Sequence, residues 1–599
     1  MINYPVLLCY TRIPQDDMIY SSHLAFSMHL ALSYDGINYT PLNHNSGVLF
    51  SKATQNEDGT LNAKTLRSPF VFKMKDKGYG ILAIRTDSDG KDDPQSKGKV
   101  LFFKTYDFLS YSEMGLIKLG DAYITALSCD YDADDHCYNI YYSTSSGDYK
   151  ATSHDLDNLK TIDSIEKLTS LVCSETISQM NIEGVIPGNQ IAIEEDIAER
   201  LFKKLVSPRH ISNSLPDSIS VSSAEEVKEV KVTCHYSDGT KADKKVDWNT
   251  AAIDWTQNGL VEIKGTIHQD HYEFPFATNR ADPCIGKWNG KYYFIATNDA
   301  DGNHTLYIRE ADNIPSLVYA EEKLILDSNT YDHVKGLLWA PEFHIIKDKL
   351  YIFHACNRDG FFFEESHVMR LKENGDPVNK EDWEEPRRVV KKDGSYLCEA
   401  GKTISLDMTV IRWDSDYYAV WSQRQFLPVD QGAWLYIAKI DPDEPWKLVS
   451  NPTLLSIPEY GWENNHTFVD EGPYVLYGKD RLFLTFAAAA VDATYVESVI
   501  AIDYGKDILN PKSWVKSNYP LLTSRNVPGE FGPGHSSFVT DDDGLIWFVY
   551  HARPGVDGPR SSGIRRVHFD IDGYPVLDMI EEMDLNPGLK ELILKVKVK

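Results

Sequence analysis

Residues 276–299 read FATNRADPCIGKWNGKYYFIATND. One aspartate, Asp282, stands before a proline at the head of a strand whose next residues are mostly small or apolar; an Asn-Gly turn and an aromatic strand follow. The grammar returns in KDKLYIF from Lys347, DSDYYAVW from Asp414, GKDRLFLTF from Gly478 and DDGLIWFVY from Asp542. Each unit has a polar turn, an aromatic-rich strand, a longer loop and another alternating strand. Five units spaced roughly 60 residues apart predict a five-bladed β-propeller, whose blades pack radially and expose only short edges. A jelly roll has no such period, and helical periodicity is almost absent, so the fold class is all-β.

Upstream, VKEVKVTCHYSDGTKADKKVDWN alternates Val230, Val232, Cys234 and Tyr236 with polar residues before a Ser-Asp-Gly-Thr turn, and Val246 and Trp248 follow. That pattern predicts an immunoglobulin-like β-sandwich over residues 214–275. Residues 186–213 hold the one convincing amphipathic helix, with Ile193, Ile197, Leu201 and Leu205 four apart, and read as a helical linker. Residues 1–185 repeat the strand-turn-strand grammar in about three blade-like units, a propeller-like β domain, leaving 276–599 for the five-bladed propeller. Aligning RSPFVF on ADPCIG puts Ser68 where Asp282 stands, and a serine hydroxyl cannot serve as a carboxylate base near neutral pH. No Glu-Gly-Pro strand accompanies it. The N-terminal region is therefore expected to be non-catalytic, packing beside the propeller mouth to shape its pocket or bind glycan, or serving as a structural flank.

The balance of 61 Lys and Arg against 89 Asp and Glu gives a net charge of −28, which repels phosphate backbones and anionic membrane surfaces. Nucleic-acid and membrane partners are excluded on that ground. No apolar run approaches the roughly 20 residues of a membrane span. The start, MINYPVLLCYTR, has no basic stretch before its short apolar run, so no signal peptide and a cytoplasmic location are expected. Eight scattered cysteines (Cys9, Cys129, Cys137, Cys173, Cys234, Cys284, Cys356, Cys398) form no CxxC pair and read as buried free thiols. The acidic run CDYDADDHC lacks the spacing of a calcium loop and reads as a hairpin tip.

On the strand before each turn stands a residue with an ionisable side chain: Asp282, Glu342, Asp407, Glu471 and His535. If those strands are the innermost of their blades, equivalent positions converge on one axis. Convergent carboxylates match glycosidic bond cleavage, in which one carboxylic acid protonates the leaving oxygen and one carboxylate acts on the opposite face. Like-charged neighbours also raise the pKa of one member, as an acid working near neutrality requires. Trp339, Trp434 and Trp462 are candidate platforms for a sugar face, set against the ordinary role of strand aromatics in packing. Arg565, with Glu342 and His535, completes the substrate-binding candidates.

The segments NRADPCIGKWNGKYYF, WAPEFHIIKDKLYIFHA, ISLDMTVIRWDSDYYAVWS, WENNHTFVDEGPYVLYGKDRLFLTFAA, GPGHSSFV and YHARPG resemble glycoside hydrolase family 43 over residues of about 276–590. The resemblance implies a five-bladed propeller and an inverting mechanism, with the carboxyl groups about 6.5–9.5 Å apart. It makes Asp282 the general base, Glu471 the general acid and Asp407 the carboxylate that tunes and orients the acid. His535 matches an axial histidine beside a calcium ion held largely by water; the chemistry itself requires no cofactor. The tract from Trp462 to Val539 is similar to exo-acting α-L-arabinofuranosidases, implying release of terminal arabinofuranosyl residues from short oligosaccharides. β-Xylosidases share the catalytic residues. Where such arabinofuranosidases tend to read YSAS after the acid strand, this chain reads TFAAAA. A non-catalytic carbohydrate-binding module is the reading from another class, and it has no need of all three acids.

Overall fold

The computed structural model describes residues 4–159, 162–169 and 181–599. Three four-stranded antiparallel sheets make up the N-terminal region. Their first strands are β1 (Lys64–Lys73), β2 (Ile124–Asp132) and β3 (Val185–Ala192), and β3 completes the sheet begun by Val6–Arg12. The acidic run forms the tip of the hairpin between β2 and Cys137–Thr144, as expected. Helix α1 (Glu195–Leu205) buries Ala198, Leu201 and Leu205 in the same core as Leu7, Leu30, Ile81 and Leu101. One expectation changes here. β3 and α1 belong to the N-terminal domain, because an 11-residue helix with one apolar stripe gains stability only by burying that stripe. Seven of the cysteines are free and buried; Cys173 lies outside the described residues.

The sandwich has a three-stranded sheet (His210–Ser214, Val232–Tyr236, Lys241–Lys244) facing a four-stranded one (Ile219–Val221, Val246–Trp248, Gly259–Ile267, Glu591–Val598). Its last strand comes from the C-terminal end, which the sequence assigns to the propeller. Glu591–Val598 pairs antiparallel with Gly259–Ile267, placing Leu594 opposite Ile263. Its alternate residues Leu594, Val596 and Val598 fill the core beside Val232 and Cys234, which explains the strict alternation of LILKVKV.

Residues 280–566 form five successive antiparallel sheets, four of four strands and a last of three. Their first strands are β4 (Arg280–Trp288), β5 (Gly336–Ile346), β6 (Thr403–Trp413), β7 (Asp470–Tyr477) and β8 (Phe531–Thr540). Each packs on the next and β8 packs on β4, so the sheets close into a ring. The start of the opening stretch is the latch: Ser562 N–H donates to Ala277 O at 2.8 Å, and Phe276 N–H to Ser562 O at 2.8 Å. Among the described residues no helix is long and apolar enough to cross a membrane.

Every first strand in the ring breaks register at a residue in left-handed backbone: Asp282 (φ 50°), Ala340 (47°), Asp407 (54°), Gly472 (55°) and His535 (50°); β5 and β8 break it a second time, at Leu337 (50°) and Gly532 (57°). A bulge turns the following residues to a new face and bends the strand, a recurrent device beside active sites. It also corrects the sequence phase. Asp282, Asp407 and His535 share the bulge position, but Glu471 lies one residue before it and Glu342 two after. In β1, Ser68 has φ 51° and the register slips between Arg67 and Phe70, so Ser68 does occupy the place of Asp282.

Candidate active site

The bulges carry Asp282, Asp407 and His535 to the starts of the first strands, where Glu471 joins them. Asp282 is buried, and both its oxygens are engaged. Thr297 donates to Oδ2 at 2.6 Å and Arg560 Nη1 to Oδ1 at 3.3 Å, while His551 Nδ1 and His535 Nδ1 lie 3.1 and 3.3 Å from Oδ1. Burial alone would raise this carboxyl, but Arg560 and the two histidines override it and hold Asp282 well below the ordinary carboxylate range. Arg560 is itself aimed: Asp299 accepts from its Nε and Nη2 at 2.9 and 2.8 Å. One hairpin therefore supplies both Asp282, the anion to be held ionised, and Asp299, the anion that clamps the cation holding it.

Glu471 has the opposite environment. It is half-buried at the mouth, with Tyr495 donating to Oε1 at 2.7 Å, and burial pushes its carboxyl up to about 7. Asp407 Oδ2 accepts from Gly472 N–H at 3.0 Å. Burial, then the charges of Glu471 and Asp282, push Asp407 up as well, so the Asp407–Glu471 pair keeps a proton near neutrality. Gly472 is required twice over. Its φ is left-handed, and a Cβ there would come within 2.9 Å of the His535 ring. Gly534 likewise makes room for Tyr495, which stacks parallel on His551 with ring centroids 5.5 Å apart.

The remaining candidates divide. Trp339 sits at the rim, half-buried, with Nε1 donating to Asn303 at 2.9 Å and Phe361 6.1 Å from its ring. Phe361, Phe362 and Phe426 extend that wall through edge-to-face contacts, and Phe362 is 50% exposed. Glu342, past its bulge, lies buried beside His344 at 2.7 Å, its carboxyl raised by burial. Trp462 is no platform: it is fully buried among Phe50, Trp413 and Phe486. Trp434 stands on Gly432–Lys439, the third strand of its sheet, and spends its N–H on Gln431 O at 3.1 Å. Arg565 is buried in the last sheet, bonded to Glu530, Tyr550 and Leu577 O. The arginine that reaches the axis is Arg560, five residues earlier.

The expectation beside His535 is a calcium ion held largely by water, not by a cage of side chains. Calcium takes six to eight oxygen ligands, whereas the carboxylate beside His535 is Asp282, already engaged by Thr297 and Arg560. Among the described residues no group of three His, Cys, Asp or Glu side chains is placed to hold a metal. Arg560, Asp299, Thr297, His551 and Tyr495 were not singled out from sequence, although the opening stretch contains Thr297 and Asp299 and the motif YHARPG contains His551.

The N-terminal region reaches this mouth. Gln431 Nε2 donates to Asp58 O at 2.7 Å, Ser21 Oγ to Asn465 Oδ1 at 2.9 Å, and His23 Nδ1 lies 2.9 Å from Asn464 Oδ1. Asn464 and Asn465 belong to the loop that leads into β7 and Glu471.

Residues 272–575 match the family described as Glycosyl hydrolases family 43, and residues 229–270 match a Bacterial Ig-like domain (group 4). The chain belongs to glycosyl hydrolases family 43. Alpha-L-arabinofuranosidase B of Pyricularia oryzae is 33% identical over 315 residues, which cover 51% of this chain and 62% of that protein. The extracellular exo-alpha-(1->5)-L-arabinofuranosidase of Streptomyces chartreusis is 32% identical over 305 residues, 49% of this chain and 87% of that protein. The match thus spans less than two thirds of the Pyricularia relative and nearly all of the Streptomyces one. The crystal structure of alpha-L-arabinofuranosidase from Lactobacillus brevis, 31% identical, aligns over 51% of this chain and 95% of that chain with a TM-score of 0.46.

Proposed function

We propose that this chain is an inverting, exo-acting glycoside hydrolase that releases terminal α-L-arabinofuranosyl residues from short arabinose-containing oligosaccharides. The observation that carries it is the contrast between two carboxyls in the ring: Asp282 is hydrogen-bonded by Thr297 and Arg560 and held low, whereas Glu471 accepts from Tyr495 and burial pushes it up to about 7. The closed ring of five sheets is then a five-bladed propeller with its active site on the axis, and the three N-terminal sheets are a diverged propeller-like domain. Asp282 takes a proton from water as that water attacks the anomeric carbon. Glu471 gives its proton to the departing glycosidic oxygen. Asp407 orients the acid through its hydrogen bond to the Gly472 N–H, which fixes the backbone next to Glu471, and shares a proton with it as a pair. The names of the relatives favour the arabinofuranoside among substrates these groups could cleave. The seven free thiols among the described residues are compatible with a cytoplasmic setting, which belongs to this proposal.

A panel of 4-nitrophenyl glycosides with arabino- and xylo-oligosaccharides tests the substrate, and the arabinofuranoside is expected to be preferred. Proton NMR of the first turnover tests the stereochemistry. An inverted anomer is expected; a retained one would need a nucleophile in place of a base and would overturn the role of Asp282.

A further inference from the structure

The N-terminal domain has a pocket of its own, of about 390 Å³, where the starts of β1, β2 and β3 meet. That is the place in the fold which the active site occupies in the ring. The bulge at Ser68 and Pro69 repeats the one at Asp282 and Pro283, and it lines the pocket. The strands are stitched together beneath it: Asn189 accepts from Val71 N–H at 2.9 Å and donates to Val71 O at 2.7 Å. Gly188 is pressed against backbone, with Cys9 O only 2.5 Å from where a Cβ would sit. A cavity of this size lies within the range of about 300–1,000 Å³ usual for small-molecule sites.

We infer that this pocket is a second, non-catalytic sugar site, which takes the terminal pentose units of a neutral arabino-oligosaccharide. Its lining decides the charge of the ligand. Among the described residues no Asp, Glu or His lines it, and the one cation there, Arg67, is paired with Asp92 at 3.1 Å. Phe26 and Phe70 bring aromatic rings of the kind that pack on the C–H side of a sugar, and Ser68 and Thr11 bring hydroxyls. A neutral polyol suits such a surface, and a phosphate or carboxylate does not. Place argues the same way. Phe26 follows the turn of helix whose Ser21 and His23 bond Asn465 and Asn464 beside the catalytic mouth, so one short segment joins the two pockets. A chain held in the N-terminal pocket is kept near the site that trims it.

The identity of the sugar rests on the proposed function; the existence of the site does not. Calorimetric titration of the full chain carrying Asp282→Asn, which stops turnover, with arabinotriose is expected to give two sites per chain. Adding Ala126→Trp, which fills the pocket from β2, is expected to leave one; adding Phe70→Ser instead should weaken the second site at least tenfold. One site in the Asp282→Asn parent, or two undiminished sites in both further variants, overturns the inference. Xylotriose, titrated in parallel, separates the two failures. Two sites for xylotriose and none for arabinotriose would move the substrate class and keep the pocket, whereas hydrolysis of the arabinofuranoside with a single binding site would keep the function and remove the pocket.

Discussion

β1 and β4 are built alike and do different things. Each opens a four-stranded sheet, slips register at a left-handed residue, and follows it with proline; one presents Ser68 and the other Asp282. The difference in chemistry is wider than that one side chain. Around Asp282 stand Arg560, His535, His551 and Thr297, contributed by the second strand of its own sheet and by the last sheet of the ring. Around Ser68 stand rings, hydroxyls, backbone and one arginine, Arg67, already paired with Asp92. The bulge supplies a position, and the neighbouring sheets decide whether a charge placed there is held ionised.

The hardest test of that contrast is Asp282→Ala. Loss of a positioned base removes about 10²–10⁴ of rate, so kcat/KM on an arabino-oligosaccharide should fall toward the upper end of that range while the thermal midpoint changes little. Near-normal turnover in this variant breaks the assignment of the axis as the active site.

Arg560→Ala attacks the surroundings and leaves the carboxylate in place. Arg560 is the first of the charges that hold Asp282 low, so its loss should raise that carboxyl. The base works ionised, and its activity is lost as pH falls through its pKa. The acidic limb of kcat/KM should therefore move to higher pH in Arg560→Ala, and Arg560→Lys should restore part of the shift. An unmoved limb would show that Arg560 binds substrate and does not tune the base.

Glu471 gives the converse linkage. Its folded pKa of about 7 lies above the ordinary 4.5, so between those values the folded chain holds a proton that the unfolded chain has released. Stability from this group is present at low pH and is lost as pH rises through 7. Activity, which needs the protonated acid, should fall over the same basic limb. Glu471→Gln removes the cost of the buried charge: at pH 8 it should stabilise by roughly 1–3 kcal/mol, discounted for partial exposure, and at pH 4 it should be neutral. Denaturant titrations at the two pH values check this, and equal stability changes at both would contradict the raised acid.

Much of this layout was legible in the sequence because it is periodic. The spacing of turns marked five sheets, and the Asp-Pro and Ser-Pro steps matched two bulges. What periodicity cannot carry is the phase inside a bulge, where one extra residue re-aims every side chain after it. Glu342 and Glu471 were therefore read as equivalent to Asp282 when they sit two residues past and one before that position. Long-range partners were equally hidden. The sequence singles out Arg565 and not Arg560, yet it is the loop carrying Arg560 that brings a guanidinium to Asp299 and Asp282. Trp462 reads in the sequence as a candidate platform weighed against packing, and it is core, in one cluster with the N-terminal domain's Phe50 and stacked on Tyr460. The strand Glu591–Val598 pairs with a partner more than 300 residues away, a separation no local pattern encodes.

The smallest expected effect is the most discriminating. Ser68→Asp in the Asp282→Ala background rebuilds the carboxylate at the matching bulge of the N-terminal domain. Aspartate tolerates left-handed backbone better than most residues, so the double variant should fold with stability within about 1 kcal/mol of its parent. It should nevertheless show no turnover above the Asp282→Ala background. Among the described residues no Glu471 equivalent faces it, no arginine clamped as Arg560 is stands ready to hold it ionised, and the cation beside it, Arg67, is already paired with Asp92. A progress curve on 4-nitrophenyl arabinofuranoside at high enzyme concentration reads this directly. Turnover above background would mean that the bulge position alone confers catalysis, and the distinction drawn between the two domains would collapse.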